Sequence, residues 1–219
     1  MGAGAYQAVL FDFDGTLANT MPDNFRAWQA AVAEHGLQIE PEDYYQLEGL
    51  RVIEVGPALF RRYRREPPDP AVLVRKKEQH YLVHHRFALY PGVEELLARL
   101  QARRVLTGLV TAGLPERLRR TTPSGFLSLF DAVVTGDDTV DGKPSPAPYL
   151  CGAEKLGVQA SACIVVENAP LGIQSAKRAG AYCIALCTTL ARQQLAEADE
   201  VIQVFEDLKD SMLIRELLA

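Results

Sequence analysis

Apolar positions along the chain follow two alternating patterns. Short apolar runs recur as "QAVLFDF" (7–13), "VLTGLVTA" (105–112), "DAVVTG" (131–136), "ACIVVE" (162–167) and "AYCIALC" (181–187). They lack the strict polar alternation of a half-exposed strand, so each predicts a strand of about five residues covered on both faces, as in a parallel sheet. A last run, "EVIQVF" (200–205), predicts an edge strand. Between the runs, apolar residues move to helical spacing, as Val93, Leu96, Leu97 and Leu100 do behind Pro91 and Gly92. Two more helices are predicted in "SPAPYLCGAEKLG" and "PLGIQSAKRAG", which stop at Gly157 and Gly180 as helices stop at a C-terminal glycine. Strand and helix in repetition predict right-handed crossovers and an α/β fold with a doubly wound, mainly parallel sheet.

One interval breaks this rhythm. From Met21 to Leu89 no strand is predicted, only helical stretches: "NFRAWQAAVAEHG", "PEDYYQLEGL", "VIEVGPALFRRYRR" and "PAVLVRKKEQHYLVHHRF". About 70 residues are too many for a crossover. The interval is therefore expected to be a small all-helical domain, 21–88, inserted into a core made of 1–20 and 89–219. Its basic clusters, Arg61, Arg62, Arg64 and Arg65, then Arg75, Lys76 and Lys77, are expected on solvated faces, with one cation available to a phosphate if the insert acts as a lid.

Composition narrows the function classes. The chain has 219 residues, 48% hydrophobic and 23% charged, with a formal net charge of −5. That size suits one domain or a core with an insert, and the acidic balance gives no reason to expect nucleic acid or an acidic membrane surface. No apolar run approaches the length of a membrane span, and no secretory signal is recognisable. Met1–Tyr6 reads as a loose lead-in. Cys151, Cys163, Cys183 and Cys187 show no metal-binding spacing and are expected as thiols in a reducing cytoplasm. His80 and His84 could share a helix face but lack a third ligand nearby.

The chemistry lies where the strands end, because a doubly wound sheet binds ligands beyond the carboxyl ends of its strands. Strand one ends in Asp12-Phe13-Asp14-Gly15-Thr16, strand two in Thr111-Ala112-Gly113, and strand four in Glu167-Asn168, while Lys143 follows strand three. Oxygen ligands beside donors suit Mg²⁺ together with a phosphate. Asp12 could ligate the metal and attack phosphorus. Asp14 could protonate the leaving oxygen and then activate water. Thr111 and neighbouring backbone N–H groups, Ala112 included, would hold the phosphoryl oxygens, and Lys143 would offset the charge.

These ordered motifs resemble the haloacid dehalogenase (HAD) superfamily, in particular its β-phosphoglucomutase-like and phosphoglycolate-phosphatase-like branch. "DFDGTLANT", the Thr111 strand end, "GKPSPAPY" and "VVENAPLGIQSAKRAG" are similar to its four motifs, and the helical interval resembles its cap. The resemblance implies a Rossmann-like core and a phosphohydrolase with Asp12 as nucleophile, Asp14 as acid/base, and Thr111 and Lys143 at the phosphate. It also implies Mg²⁺ held by Asp12, the Asp14 backbone carbonyl, Glu167 and Asn168. Asp14 speaks against the dehalogenase branch, which lacks this second acid.

Three departures bear on the substrate, expected to be a small phosphorylated metabolite or pyrophosphate. Asn168 stands where an acid is common, so Glu167 or Glu48, from the insert's "QLEGL", would have to restore the charge. A Glu48 carboxylate on the metal would favour a small chelated substrate such as pyrophosphate. Asn24 occupies the position of the mutases' histidine, and Arg51 lies one residue from their phosphate-gripping arginine, although it could still contact substrate. Sugar phosphomutase is thus the alternative, and a non-catalytic phospholigand-binding module a third. A monomer is expected, with a dimer left open.

Overall fold

The computed structural model describes residues 6–219; the Met1–Ala5 part of the lead-in lies outside the described residues. Six strands form one sheet: β1 (Ala8–Phe11), β2 (Leu106–Val110), β3 (Ala132–Val134), β4 (Cys163–Glu167), β5 (Tyr182–Leu186) and β6 (Glu200–Ile202). All pairs are parallel, in the order β3-β2-β1-β4-β5-β6. β6 is an edge strand, as its short run predicts. β1 lies between β2 and β4, with Phe11 beside both Leu109 and Val166. The chain therefore leaves β1 toward one side of the sheet and later crosses back to β4 on the other. The cleft where strand order reverses opens just past Phe11, at Asp12.

The absence of alternation in the strand runs has a direct cause. Val9 and Phe11 point into one apolar cluster with Leu109, Ile164, Val166 and Ile184; Ala8 and Leu10 point into another with Val110, Val165 and Cys183. The first cluster is closed by α5 (Val93–Ala102) and α9 (Met212–Leu218), the second by α7 (Ala147–Lys155) and α8 (Pro170–Ala179). Both faces of every central strand are covered, so both must be apolar.

Four helices lie between β1 and α5: α1 (Met21–Ala33), α2 (Pro41–Tyr45), α3 (Val52–Arg62) and α4 (Pro70–His84). They enclose a cluster of their own that includes Met21, Trp28, Val32, Ile39, Leu59, Phe60 and Leu73. The chain enters and leaves this group through one paired crossing, where Asn19 N–H donates to the Ala88 carbonyl at 2.8 Å and Tyr90 N–H to that of Leu17 at 2.9 Å. Helix α1 begins at Met21, ahead of the amphipathic stretch, because Pro22 suits a first helical turn. Helix α4 starts on Asp69, whose side chain accepts from Ala71 N–H.

A helix not expected from the apolar pattern, α6 (Pro115–Thr121), follows β2. It turns Arg117, Leu118 and Thr121 inward and ends where Thr122 becomes extended before Pro123. Of the basic residues in the insert, Arg61, Arg62, Arg64, Arg65, Arg75 and Lys76 are exposed, as expected, but Lys77 is buried. Buried residues of α4 recur every fourth position, Leu73, Lys77 and Tyr81, so the lysine sits in the middle of the inward stripe.

Candidate active site

Asp12 is buried where β1 ends in the middle of the sheet. Lys143 Nζ donates to Asp12 Oδ1 at 2.6 Å, to Glu167 Oε1 at 2.6 Å and to the Val110 carbonyl at 3.3 Å, so all three ammonium protons have acceptors. Burial alone would lower the Lys143 ammonium, but the Asp12 and Glu167 carboxylates reverse this and hold it above its ordinary value. Burial also pushes the Asp12 carboxyl up to about 7, with Lys143 opposing the rise and Glu167 adding to it.

Glu167 is the anchor beneath this pair. Its Oε1 accepts from Lys143 and from Tyr149 Oη at 2.7 Å, and its Oε2 from the N–H groups of Asn168 at 2.9 Å and Ala169 at 3.2 Å. A carboxylate offers about four acceptor sites, and here all are taken. Gly172 in the first turn of α8 lies directly against Glu167, where a Cβ would collide with the carboxylate. The expectation that Glu167 ligates a metal does not fit this arrangement: the side chain is spent on Lys143, Tyr149 and the start of α8.

Asn168 is tied down chiefly through its amide nitrogen and keeps one lone pair of its oxygen open. Its Oδ1 accepts from Thr16 Oγ1 at 3.0 Å, and its Nδ2 donates to Glu48 Oε2 at 3.0 Å and Thr189 Oγ1 at 2.8 Å. Through its nitrogen it fastens Glu48, from the loop between α2 and α3, to the core, while its oxygen can still meet a cation. Gly15, at φ +82°, lets the chain turn past Asp14 without a Cβ striking the Asn168 amide.

Glu48 lies buried, and burial, followed by the charges of Asp12, Asp14 and Glu167, raises its carboxyl well above the ordinary range. Two carboxylate oxygens in this region, Asp12 Oδ2 and Glu48 Oε1, are buried with no hydrogen-bond partner among the described residues. Orphaned anionic oxygens are costly unless a cation meets them, and hard oxygen donors suit Mg²⁺. The residues present thus fit a divalent cation, with Glu48 in the place expected of Glu167.

Asp14 faces a different setting. Its Oδ1 accepts from Thr20 Oγ1 at 2.6 Å and Asn24 Nδ2 at 3.0 Å, and Arg117 binds the carboxylate with both terminal nitrogens, at 3.1 and 2.7 Å. Burial would raise this carboxyl, but the Arg117 guanidinium overrides it and brings it to about 2. Arg117 is absent from the residues expected from sequence. Its only signal was a proline and a glutamate opening a short basic helix, "PERLRR", which reads equally well as an exposed turn.

Thr111 and Ala112 line the same cleft as Asp12 and Asp14, with Thr111 Oγ1 held by Gly113 N–H at 3.0 Å. The cleft, open to solvent, has about 40 Å³ of cavity space and runs up to the insert, where Asn24, Trp28, Tyr44, Leu50 and Lys77 border it. Arg51 lines a small adjoining pocket together with Thr111, Ala112 and Lys143, and its guanidinium donates to the Val140 carbonyl at 2.8 Å, on an exposed core loop, which ties the insert to the core. His80 and His84 stack at 4.3 Å, and the described residues contain no group of three or more His, Cys, Asp or Glu placed to hold a metal. No helix among the described residues is long and apolar enough to cross a membrane.

A doubly wound core, a rim of buried acids paired with lysine and arginine, and helices closing over it define a class of hydrolase. The chain belongs to the haloacid dehalogenase-like hydrolase family, which residues 9–186 match. It is 32% identical over 220 residues to validoxylamine A 7'-phosphate phosphatase of Streptomyces hygroscopicus subsp. limoneus, covering 93% of this chain and 96% of the relative. It is 30% identical over 203 residues to hexitol phosphatase A of Escherichia coli K12, covering 92% and 93%. Among solved structures, CbbY of Rhodobacter sphaeroides in complex with xylulose-(1,5)bisphosphate superposes with a TM-score of 0.77 at 26% identity, covering 93% of this chain and 96% of that one.

Proposed function

We propose that this hydrolase is a Mg²⁺-dependent phosphatase of small phosphorylated sugars and polyols, working through an aspartyl-phosphate on Asp12. One observation carries the reading: Asp12 Oδ1 is fixed by Lys143 while Oδ2, at the cleft, has no partner among the described residues. A buried carboxylate held by one oxygen keeps lone pairs at the other for the cation and for phosphorus. Mg²⁺, when bound by Asp12, Glu48 and the Asp14 carbonyl, supplies charge neutralisation among the carboxylates and polarises the phosphoryl group.

In the first step Asp12 forms a bond to phosphorus as the ester P–O bond breaks, and the leaving oxygen takes a proton from Asp14, whose carboxyl has to leave the Arg117 ion pair to carry it. In the second, water attacks phosphorus while Asp14 takes one of its protons, and the Asp12 carboxylate is released with inorganic phosphate. Lys143 holds Asp12 in both steps, and Thr111 with the Ala112 N–H holds the phosphoryl oxygens. Residues 21–88 act as a cap on the core of 1–20 and 89–219, excluding water when closed. The cap lining combines apolar Trp28 and Leu50 with Tyr44 and the cation Lys77, a mixture suited to a hydroxylated organic phosphate. The names of the two phosphatase relatives point the same way. Free thiols throughout suit a cytoplasmic setting.

Pyrophosphate is the second reading, favoured by Glu48, an acid where a sugar phosphatase could use a cation. The mutase reading is weakened by Asn24, which is committed to Asp14 and Thr20 rather than to substrate. Phosphate release measured over fructose 1-phosphate, hexitol phosphates and pyrophosphate, with Mg²⁺ or EDTA, separates these readings. Asp12→Asn is expected to lower turnover by at least about 10⁴-fold, as loss of a nucleophile does. Hydrolysis at the wild-type rate in that variant, or in EDTA, would sink the mechanism.

A further inference from the structure

Glu78 is a carboxylate that the reaction as drawn above does not use. It follows Lys77 on α4, and both side chains line the cleft. Lys77 Nζ donates to Glu78 Oε1 at 2.9 Å, with the lysine side chain 3% and the glutamate side chain 14% exposed. The ammonium also lies over the Tyr81 ring at 4.9 Å, and the Arg117 guanidinium lies over the same ring at 5.0 Å. Two buried cations therefore meet at one aromatic ring, and each brings its own acid: Arg117 has Asp14 and Lys77 has Glu78.

This pairing decides what kind of group can enter. Asp12, Asp14, Glu48 and Glu78 line the cleft against Lys77 and Arg117, and neither of these cations is left without a carboxylate. Lys143 beside it is shared by Asp12 and Glu167, and Arg51, in the adjoining pocket, is held by the Val140 carbonyl. A second phosphate or a carboxylate on the substrate would have to break one of the pairs and would then face the acid it displaced. A hydroxyl group meets no such obstacle. Lys77 spends one N–H on Glu78, which keeps lone pairs free, so the pair offers a donor and an acceptor side by side to a group that both accepts and donates.

We propose that Glu78 sets the charge selectivity of the enzyme: paired with Lys77, it admits leaving groups that are uncharged and hydroxylated and turns away those with a second anionic group. The proposal rests on the sugar and polyol phosphatase reading and narrows it: phosphoesters of neutral polyols are substrates, whereas bisphosphates and phosphorylated acids are not. Like charges brought together in a shielded cleft repel strongly, so the carboxylate acts against the wrong substrate more than for the right one. Pyrophosphate, whose leaving group is itself an anion, falls on the excluded side.

The test uses two esters that differ at the far end. Glycerol 3-phosphate ends in a hydroxymethyl group and 3-phosphoglycerate in a carboxylate, and both leave through a primary alcohol oxygen. Each is measured with Mg²⁺ as a substrate and as a competitor of fructose 1-phosphate, so that a slow substrate still reports its binding. Wild type is expected to prefer glycerol 3-phosphate by roughly 30-fold or more. Glu78→Gln keeps the length of the side chain and an acceptor for Lys77 but removes the charge. It should raise the value for 3-phosphoglycerate by about tenfold and lower that for glycerol 3-phosphate by no more than about threefold. Equal changes on the two esters, the result of a merely structural ion pair, overturn the proposal. So does a wild type that treats the two alike, an arm that requires no variant to fold. The underlying reading fails separately. A wild type that releases phosphate from pyrophosphate and not from fructose 1-phosphate is no sugar phosphatase, and the proposal falls with that reading. Hydrolysis of fructose 1-phosphate with indifference to the far carboxylate removes the proposal alone.

Discussion

The two walls of the cleft are built in different ways. On the core side, Asp12, Lys143, Glu167 and Tyr149 form a continuous chain of hydrogen bonds, with Asp12 and Glu167 at the ends of adjacent strands, Lys143 on the loop after β3 and Tyr149 on α7. On the insert side, Glu48, Asn24 and Lys77 come from helices and loops that pack on a separate apolar cluster. They reach the core through a few polar contacts: Glu48 with Asn168, Asn24 with Asp14, and Arg51 with Val140. The core wall is redundant and rigid, so it can hold the reacting groups in one geometry. The insert wall can move without unfolding the sheet, so it can select and enclose the substrate.

If that contrast is right, a break in the core wall should cost stability as well as rate. Lys143→Met removes the cation from two buried carboxylates at once. It is expected to abolish turnover and to destabilise the fold by about 3–5 kcal/mol, the range for leaving buried charge unpaired. Denaturant unfolding checks this, and a variant as stable as wild type would show that the chain of bonds is not a structural anchor. Adding Mg²⁺ should recover part of the loss, by binding to the folded state alone.

Breaks in the insert wall should instead change binding and leave the fold alone. Glu48→Gln keeps the hydrogen bond to Asn168 but removes a charge. The Mg²⁺ concentration for half-maximal activity is then expected to rise by about tenfold or more, comparable to other losses around a metal. No change in that concentration would remove Glu48 from the cation site. A smaller effect is expected from Lys77→Met, which keeps the length of a side chain buried between Leu73 and Tyr81. KM for the sugar phosphate should rise by about tenfold, the loss of one charged hydrogen bond, with kcat little changed and thermal stability retained. Burial, then Arg117, lowers the Lys77 ammonium to about 8. In wild type, KM should therefore climb as pH rises through 8 and the amine loses its proton; the Met variant should lack that rise.

The same contrast explains what was legible in the sequence. The strand runs, their order of appearance and the motifs at their ends are local patterns, and a buried parallel strand announces itself by composition alone. The insert was legible as an interruption of that rhythm, and its crossing at Ala18 and Leu89 falls where the rhythm breaks and resumes. Pairings between distant charges were not legible. Lys77 looked solvated because a lysine in a basic trio carries no mark of the Leu73–Tyr81 stripe that buries it. Arg117 sits in a seven-residue helix too short to show a period. Glu167 reads as a metal ligand from its place at a strand end, and nothing in the sequence shows that Tyr149 and the start of α8 use its oxygens, or that Arg51 bonds the Val140 carbonyl.

The central claim is that Asp12 carries the phosphoryl group between two half-reactions. The most direct measurement is acid quenching during turnover of fructose 1-phosphate, followed by mass analysis of the peptide that contains Asp12. The account predicts a fraction of wild-type enzyme bearing one phosphoryl group on Asp12, formed only with Mg²⁺ and absent from Asp12→Asn. Turnover that continues in Asp12→Asn, or a phosphoryl group found on another residue, would contradict it.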